Sequence, residues 1–453
     1  MSAEEAPRRN LGHRIALAII AVIIVLVALA IITWGWFKLN PVRIVEPPPA
    51  PIAMLRAPIP DGANAELIRR GRYLTIAGDC ASCHTRAGGH AFAGGLGLET
   101  PFGVIYSPNL TSDRETGIGA WTPDQFFRAL HEGIAPGGKR LYPALPYPHF
   151  TILSRADSDA ILAFLKTVPA RHYSQPANRL PFPIDIRLSL IGWNALNFSP
   201  HGFRPDPAKS LAWNRGAYLV EGLTHCGACH TPKSALGAEQ RDQAYRGAVI
   251  EDWLAPDLTG NPRTGLGRWS AADIVEYLKT GRNAHSNAAG MMAEVVSYST
   301  SMLSDQDLAA IATYIKSLPP SPDAPSAAPD PAAMQAGGAI FADACTACHL
   351  AGGKGQPRMF PPLPGSAMAQ QRDPTGLIHL ILAGGRTAPT IEHPTFQTMP
   401  SFAWKLNDQQ VADVATYVRN SWGNRAPPVS ADQVASLRSK LGLAHALRRP
   451  GER

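Results

Sequence analysis

The six cysteines of this 453-residue chain fall into three copies of one frame. The copies are Cys80-Ala81-Ser82-Cys83-His84, Cys226-Gly227-Ala228-Cys229-His230 and Cys345-Thr346-Ala347-Cys348-His349. Two thiols on adjacent helical turns suit addition to the vinyl groups of one haem edge. The histidine that follows reaches the iron from the proximal face. One such frame also fits a zinc half-site or a thioredoxin-like redox pair. Three frames that use every cysteine point instead to three covalent haem c groups. Cys80, Cys83, Cys226, Cys229, Cys345 and Cys348 are then the attachment residues, and His84, His230 and His349 the proximal ligands.

The distal ligand sets what each iron does. Methionine sulfur raises the potential and suits electron transfer, whereas an open position invites chemistry. Copy three carries Met399 between its last loop and its last helix, where a ligand loop must cross the distal face. A methionine is more often core filler, but that placement makes Met399 a ligand candidate. Copy two offers Met291, Met292 and Met302 in the matching loop. Copy one has none: its loop from Leu141 to Phe150 places Leu145 there. His149, four residues on, is the alternative sixth ligand; otherwise the first haem is five-coordinate.

The elements around each frame repeat as well. Upstream stand Arg70-Gly71-Arg72-Tyr73-Leu74, Arg215-Gly216-Ala217-Tyr218-Leu219 and Gly338-Ala339-Ile340-Phe341. Each reads as a helix whose glycine permits close helix approach. Downstream stand Pro108 and Leu110, Pro256 and Leu258, Pro361 and Leu363. A proximal histidine needs a carbonyl for its second ring N–H, and these proline loops are the expected source. Each copy ends in an amphipathic helix capped by Ser154, Ser304 or Asn407, with Phe164, Tyr314 and Tyr417 facing the first helix. Thr122 and Ser270 cap earlier helices, and Ser430 with Gln433 begins a short closing one.

The net charge of +7 is compatible with anionic lipid or an acidic partner. No nucleic-acid motif accompanies it, so nucleic acid is excluded as the partner. Arg8, Arg9 and Arg14 precede an apolar run from Ile15 to Phe37 that is long enough to span a bilayer and ends near Trp34 and Trp36. A retained anchor is favoured over a cleaved signal peptide, because the run continues past the small residues Ala28-Leu29-Ala30. Either way, the haem domains lie outside the cytoplasm. The resulting plan is a cytoplasmic 1–14, an anchor 15–37 and a proline-rich linker 38–62. Haem domains follow at 63–169, 210–319 and 332–424, joined by linkers 170–209 and 320–331, with a closing helix and tail at 425–453. Within the first linker between domains, Ile184 to Phe198 is apolar; it either packs between domains or lies on a membrane or under a partner.

The run from Gly78 to Thr85, with Thr100-Pro101-Phe102-Gly103-Val104-Ile105-Tyr106-Ser107-Pro108-Asn109-Leu110-Thr111, resembles the three-haem cytochrome c subunits of bacterial membrane-bound dehydrogenases. So do Asn214 to Gly222 and His225 to Pro232 in copy two. Met292-Ala293-Glu294-Val295-Val296 is similar to that family's second ligand loop, which selects Met292. The resemblance implies a mainly α fold: three tandem class I cytochrome c domains after an N-terminal transmembrane helix. It implies a periplasmic relay from a molybdenum, quinoprotein or flavoprotein catalytic subunit to ubiquinone at the membrane. The wording Pro146-Tyr147-Pro148-His149-Phe150-Thr151 is closest to the branch serving aldehyde dehydrogenases. Two rivals remain: a peroxidase-like enzyme acting at the first haem, and a cytochrome subunit feeding a terminal oxidase.

Overall fold

The computed structural model describes residues 17–29, 31, 52–59, 61–323 and 327–443. Residues 17–29 are helical with exposed aliphatic side chains, Ile24 at 61 %. The rest of the expected anchor, its tryptophans and most of the proline-rich linker lie outside the described residues. Among the described residues no helix is long and apolar enough to cross a membrane.

The fold is mainly helical, with four small two-stranded hairpins among the described residues. Each repeat unit is framed by an opening and a closing helix that cross. The pairs are Ala65–Ala77 with Arg155–Leu165, Leu211–Ala217 with Asp305–Lys316, and Pro331–Ala344 with Asp408–Asn420. Glycine makes each crossing possible. A Cβ built on Gly71 would lie 1.8 Å from the Ala160 carbonyl oxygen; on Gly216, 2.0 Å from that of Ala310; on Gly337, 2.2 Å from that of Asp413. The sequence points to Gly338 in copy three, but the structure gives this role to Gly337. Gly338 meets only the Tyr417 ring. Phe164, Tyr314 and Tyr417 do pack at the crossings, as expected.

The expected caps also form. Ser154, Ser304 and Asn407 accept from the backbone N–H groups of Asp157, Asp307 and Gln410. Thr122, Ser270 and Ser430 complete capping boxes on Pro123–Glu132, Ala271–Thr280 and Ala431–Lys440.

Copies one and two are not independent. The main apolar core draws on buried residues of both copies, from Leu55 to Ile315, and a second one runs from Phe341 to Leu437 in copy three, with a small cluster of Ala288, Val296 and Ala388 between copies two and three. The junction of the first two copies is reciprocal. Arg70 pairs with Asp157 of its own copy (Nη2–Oδ1 2.5 Å), and Arg215 with Asp307 (Nη2–Oδ2 2.7 Å). The tyrosines cross over: Tyr218 donates to Asp157 (2.5 Å) and Tyr73 to Asp307 (2.6 Å). Copy three has Ala336 and Ala339 where the other two have arginine and tyrosine, and its Asp413 is bonded by Gln409. Replacing Tyr73 and Tyr218 together by phenylalanine is therefore expected to weaken the two-copy body by about 2 kcal/mol per lost charge-assisted bond. Denaturant unfolding, with the separate core of copy three as the unaffected reference, checks this.

Copy two has one residue more than copy one between crossing glycine and first cysteine (Gly216 to Cys226 against Gly71 to Cys80). The extra residue is absorbed as a π-helical turn, Tyr218–Leu223. As at any helix end, the carbonyls of the last turn need donors from elsewhere. The backbone N–H of Thr224 goes to Leu219, that of His225 to Gly222 and that of Cys226 to Val220, so none of them serves Glu221.

Candidate haem-binding sites

Each cysteine frame forms a single helical turn: Cys80–Cys83, Gly227–His230 and Thr346–His349. In the first two copies the residue before the frame, Asp79 or His225, has a positive φ that turns the chain sharply into it. The six cysteines form no disulfide. Burial pushes the Cys80 thiol up to about 12, with Asp79 adding to the effect, and the Cys229 thiol up to about 11.

The three histidines share one arrangement. Nδ1 of His84 lies 2.8 Å from the Pro108 carbonyl oxygen, that of His230 2.7 Å from Pro256, and that of His349 3.2 Å from Pro361. A carbonyl only accepts, so Nδ1 carries the proton and Nε2 keeps its lone pair. Burial lowers all three rings, His84 to about 4, against the opposing pull of the prolyl carbonyl. At neutral pH each is a neutral imidazole with one oriented donor atom, the state a metal requires.

Of the expected sixth ligands, Met399 sits in the hairpin strand Thr398–Met399, paired with Gly385–Arg386, and packs against the core of copy three. Met292 lies in the first turn of Met291–Tyr298 and packs against the shared core. Met302 also packs against the shared core, and lines a surface cleft with Leu55, Arg72 and Tyr73. Leu145 packs against the shared core in copy one.

His149, the sequence's candidate for the first iron, is bonded to copy two in this structure. Its Nδ1 lies 2.7 Å from the Glu221 carbonyl oxygen, and its Nε2 lies 2.7 Å from Oε1 of Glu239. In this arrangement both ring nitrogens are taken up by oxygen atoms of copy two. The ring also lies against the second frame, since a Cβ on Gly227 would meet its Cε1 at 3.0 Å. The physical reason is the helix end: the Glu221 carbonyl lies in the last turn before Leu223, where no backbone donor reaches it, and His149 supplies one.

Glu239, which also pairs with Lys233 (3.0 Å), gave no sequence signal because its main partner belongs to another copy. The crossed tyrosines did have one: the pattern Arg-Gly-x-Tyr-Leu with Ser-x-x-Asp occurs in copies one and two alone. Burial works to raise Glu239, but its bonds to His149 and Lys233 outweigh this and hold it at about 2. A carboxyl depressed on folding adds stability above its unfolded value, near 4.3, and loses it as pH falls through the folded one. Glu239→Gln is thus expected to flatten the fall in stability between about pH 4 and pH 2. Denaturant midpoints measured across that window check it.

The sites are contiguous. The helix Met291–Tyr298 of copy two packs on the attachment turn Cys80–Cys83 of copy one. A bridge from Ala289 to Thr387 joins the distal loops of copies two and three. Copy two is the middle member.

Paired free thiols, a neutral imidazole with Nε2 open, and a thioether in two distal loops are a donor set that fits haem c. Fold and sites together define an electron-carrying haem protein built from repeated small helical domains. The chain belongs to the cytochrome c family, whose profile matches residues 68–169, 214–319 and 334–422, and whose members bind haem c covalently. It is 43 % identical over 406 residues to the gluconate 2-dehydrogenase cytochrome c subunit of Pantoea cypripedii, covering 83 % of this chain and 91 % of that one. It is 40 % identical over 402 residues to the cytochrome c subunit of the alcohol dehydrogenase (quinone) of Gluconobacter oxydans, covering 83 % of each. A shorter relative, a diheme cytochrome c-type protein of Cereibacter sphaeroides, is 37 % identical over 258 residues, which are 55 % of this chain and 85 % of that one. Electron transfer is the activity of the chain.

Proposed function

We propose that this chain is the electron-transfer subunit of a dehydrogenase complex on the periplasmic face of the inner membrane. It carries three haem c groups and passes electrons from a catalytic subunit to ubiquinone. The observation that carries the reading is the threefold repetition of one histidine–prolyl carbonyl arrangement in contiguous sites. Haem c, when bound, supplies one-electron exchange. The chain's own part is positional: cysteine pairs fix each edge, prolyl carbonyls orient each imidazole, and copy two bridges its neighbours. The names of the relatives support a dehydrogenase partner, and one of them names a quinone. The apolar run at 15–37 supports the anchor. The partner's catalytic group is molybdenum, quinoprotein or flavoprotein, and its substrate an aldehyde, alcohol or sugar acid.

Purified protein is expected to give three haems per chain in a pyridine haemochrome assay, to co-purify with a large catalytic subunit, and to couple that subunit's substrate to reduction of a ubiquinone analogue. Two haems or fewer sinks the reading. Leu145 in the first distal loop, with His149 turned to copy two, favours a second reading in which the first haem binds peroxide. A high-spin haem that takes cyanide readily and turns over peroxide supports it; three low-spin haems exclude it.

A further inference from the structure

The helix Ser189–Asn197, in the connection between copies one and two, is built inside out. Its protein-facing side holds buried Leu190 together with two polar groups, those of Trp193 and Asn194. Trp193 Nε1 donates to the Leu236 carbonyl (2.8 Å), and Asn194 Oδ1 accepts from the buried Tyr147 hydroxyl (2.6 Å). The opposite side holds Ile191 at 48 % exposure and Leu196 at 77 %. Just ahead of the helix, Ile186 is 44 % exposed and Leu188 71 %. Positions 188, 191 and 195–196 lie on one helical face. A face turned to water carries polar residues; this one is aliphatic, while the side turned to the protein is partly polar.

Cations flank that face. Arg187 Nη1 donates to the Arg140 carbonyl (2.6 Å), and its guanidinium lies over the Tyr142 ring (4.7 Å). Burial pushes Lys139 and Arg187 down, and the charge of Arg187 lowers Lys139 further. Neither is in an ion pair among the described residues. Asp185 is the carboxylate near Tyr142. An aliphatic face rimmed by Lys139, Arg140 and Arg187, against the one carboxylate of Asp185, matches an anionic lipid surface, where apolar side chains enter the acyl boundary and Lys and Arg stay at the headgroups.

We propose that Ile186, Leu188, Ile191 and Leu196 seat this helix in an anionic membrane surface, with Lys139, Arg140 and Arg187 at headgroup level. The contact rests on the membrane placement given above and adds where on the haem domains the membrane touches. Because Tyr147 and Trp193 tie the helix to the distal loop of copy one (ring centroids 6.4 Å apart), the first haem site is the one held beside the lipid.

The test uses the mature full-length chain. Its six cysteines are committed to haem, so Leu196→Cys supplies a single labelling thiol for a polarity-sensitive fluorophore. The labelled chain is mixed with phosphatidylcholine vesicles with and without phosphatidylglycerol. The expected result is a blue-shifted probe quenched by acyl-chain-brominated lipid, more strongly with phosphatidylglycerol. Salt and the pair Lys139→Glu and Arg187→Glu should both weaken the effect. Protein held by the vesicles with its probe still in water overturns this contact alone. Burial of the probe only after the catalytic subunit is added also overturns it and makes the face a protein dock. Protein that stays off both kinds of vesicle overturns the anchoring and the contact together.

Discussion

Alanine at Gly71 is expected to destabilise the two-copy body by about 3 kcal/mol or more, at the upper end of overpacking costs. A single added methyl would sit 1.8 Å from the Ala160 carbonyl oxygen, a backbone atom that cannot swing away. The Ala65–Ala77 and Arg155–Leu165 helices must then separate, and the core they share with copy two opens with them. Gly338→Ala is the control. Its methyl meets only the Tyr417 ring, at 3.1 Å, and alanine is a better helix former than glycine by about 1 kcal/mol. Chemical unfolding followed by far-ultraviolet circular dichroism should show a large loss for the first variant and little change for the second. Equal effects would show that the crossing glycine is not what sets the packing.

The second large effect is on the irons. Met399→Leu is expected to make the third haem high-spin and to lower its potential, since thioether ligation raises it. Leu145→Met should do the reverse for the first haem. The two side chains are of similar volume, so each swap should cost under about 1.5 kcal/mol of packing. Spectroelectrochemical titration separates the three potentials, and the methionine-to-iron charge-transfer band reports the ligand directly. If the band survives in Met399→Leu, another residue ligates the third iron. If Leu145→Met gains no band, the first distal loop does not reach its iron.

Much of this was legible in the sequence because it depends on local spacing. The cysteine frames, the caps at Ser154, Ser304 and Asn407, and the proline loops that receive His84, His230 and His349 each involve residues close in the chain or repeated three times. What was not legible depends on contacts between copies. His149 read as a ligand because its own copy lacked a methionine, yet its partners, Glu221 and Glu239, belong to the next copy. The crossing glycine of copy three slipped by one position because two glycines are adjacent and periodicity cannot choose between them. The sharing of one core by two copies had a trace in the sequence, the Arg-Gly-x-Tyr-Leu pattern missing from copy three. Its meaning needed the crossed bonds to Asp157 and Asp307.

The bonds of His149 make the second attachment turn sensitive to the first copy. A ring that serves the Glu221 carbonyl and Glu239 while lying against Gly227 ties the loop that carries Leu145 to the frame that carries Cys226 and Cys229. A change at position 149 is therefore expected to be felt at the second haem as well as at the first.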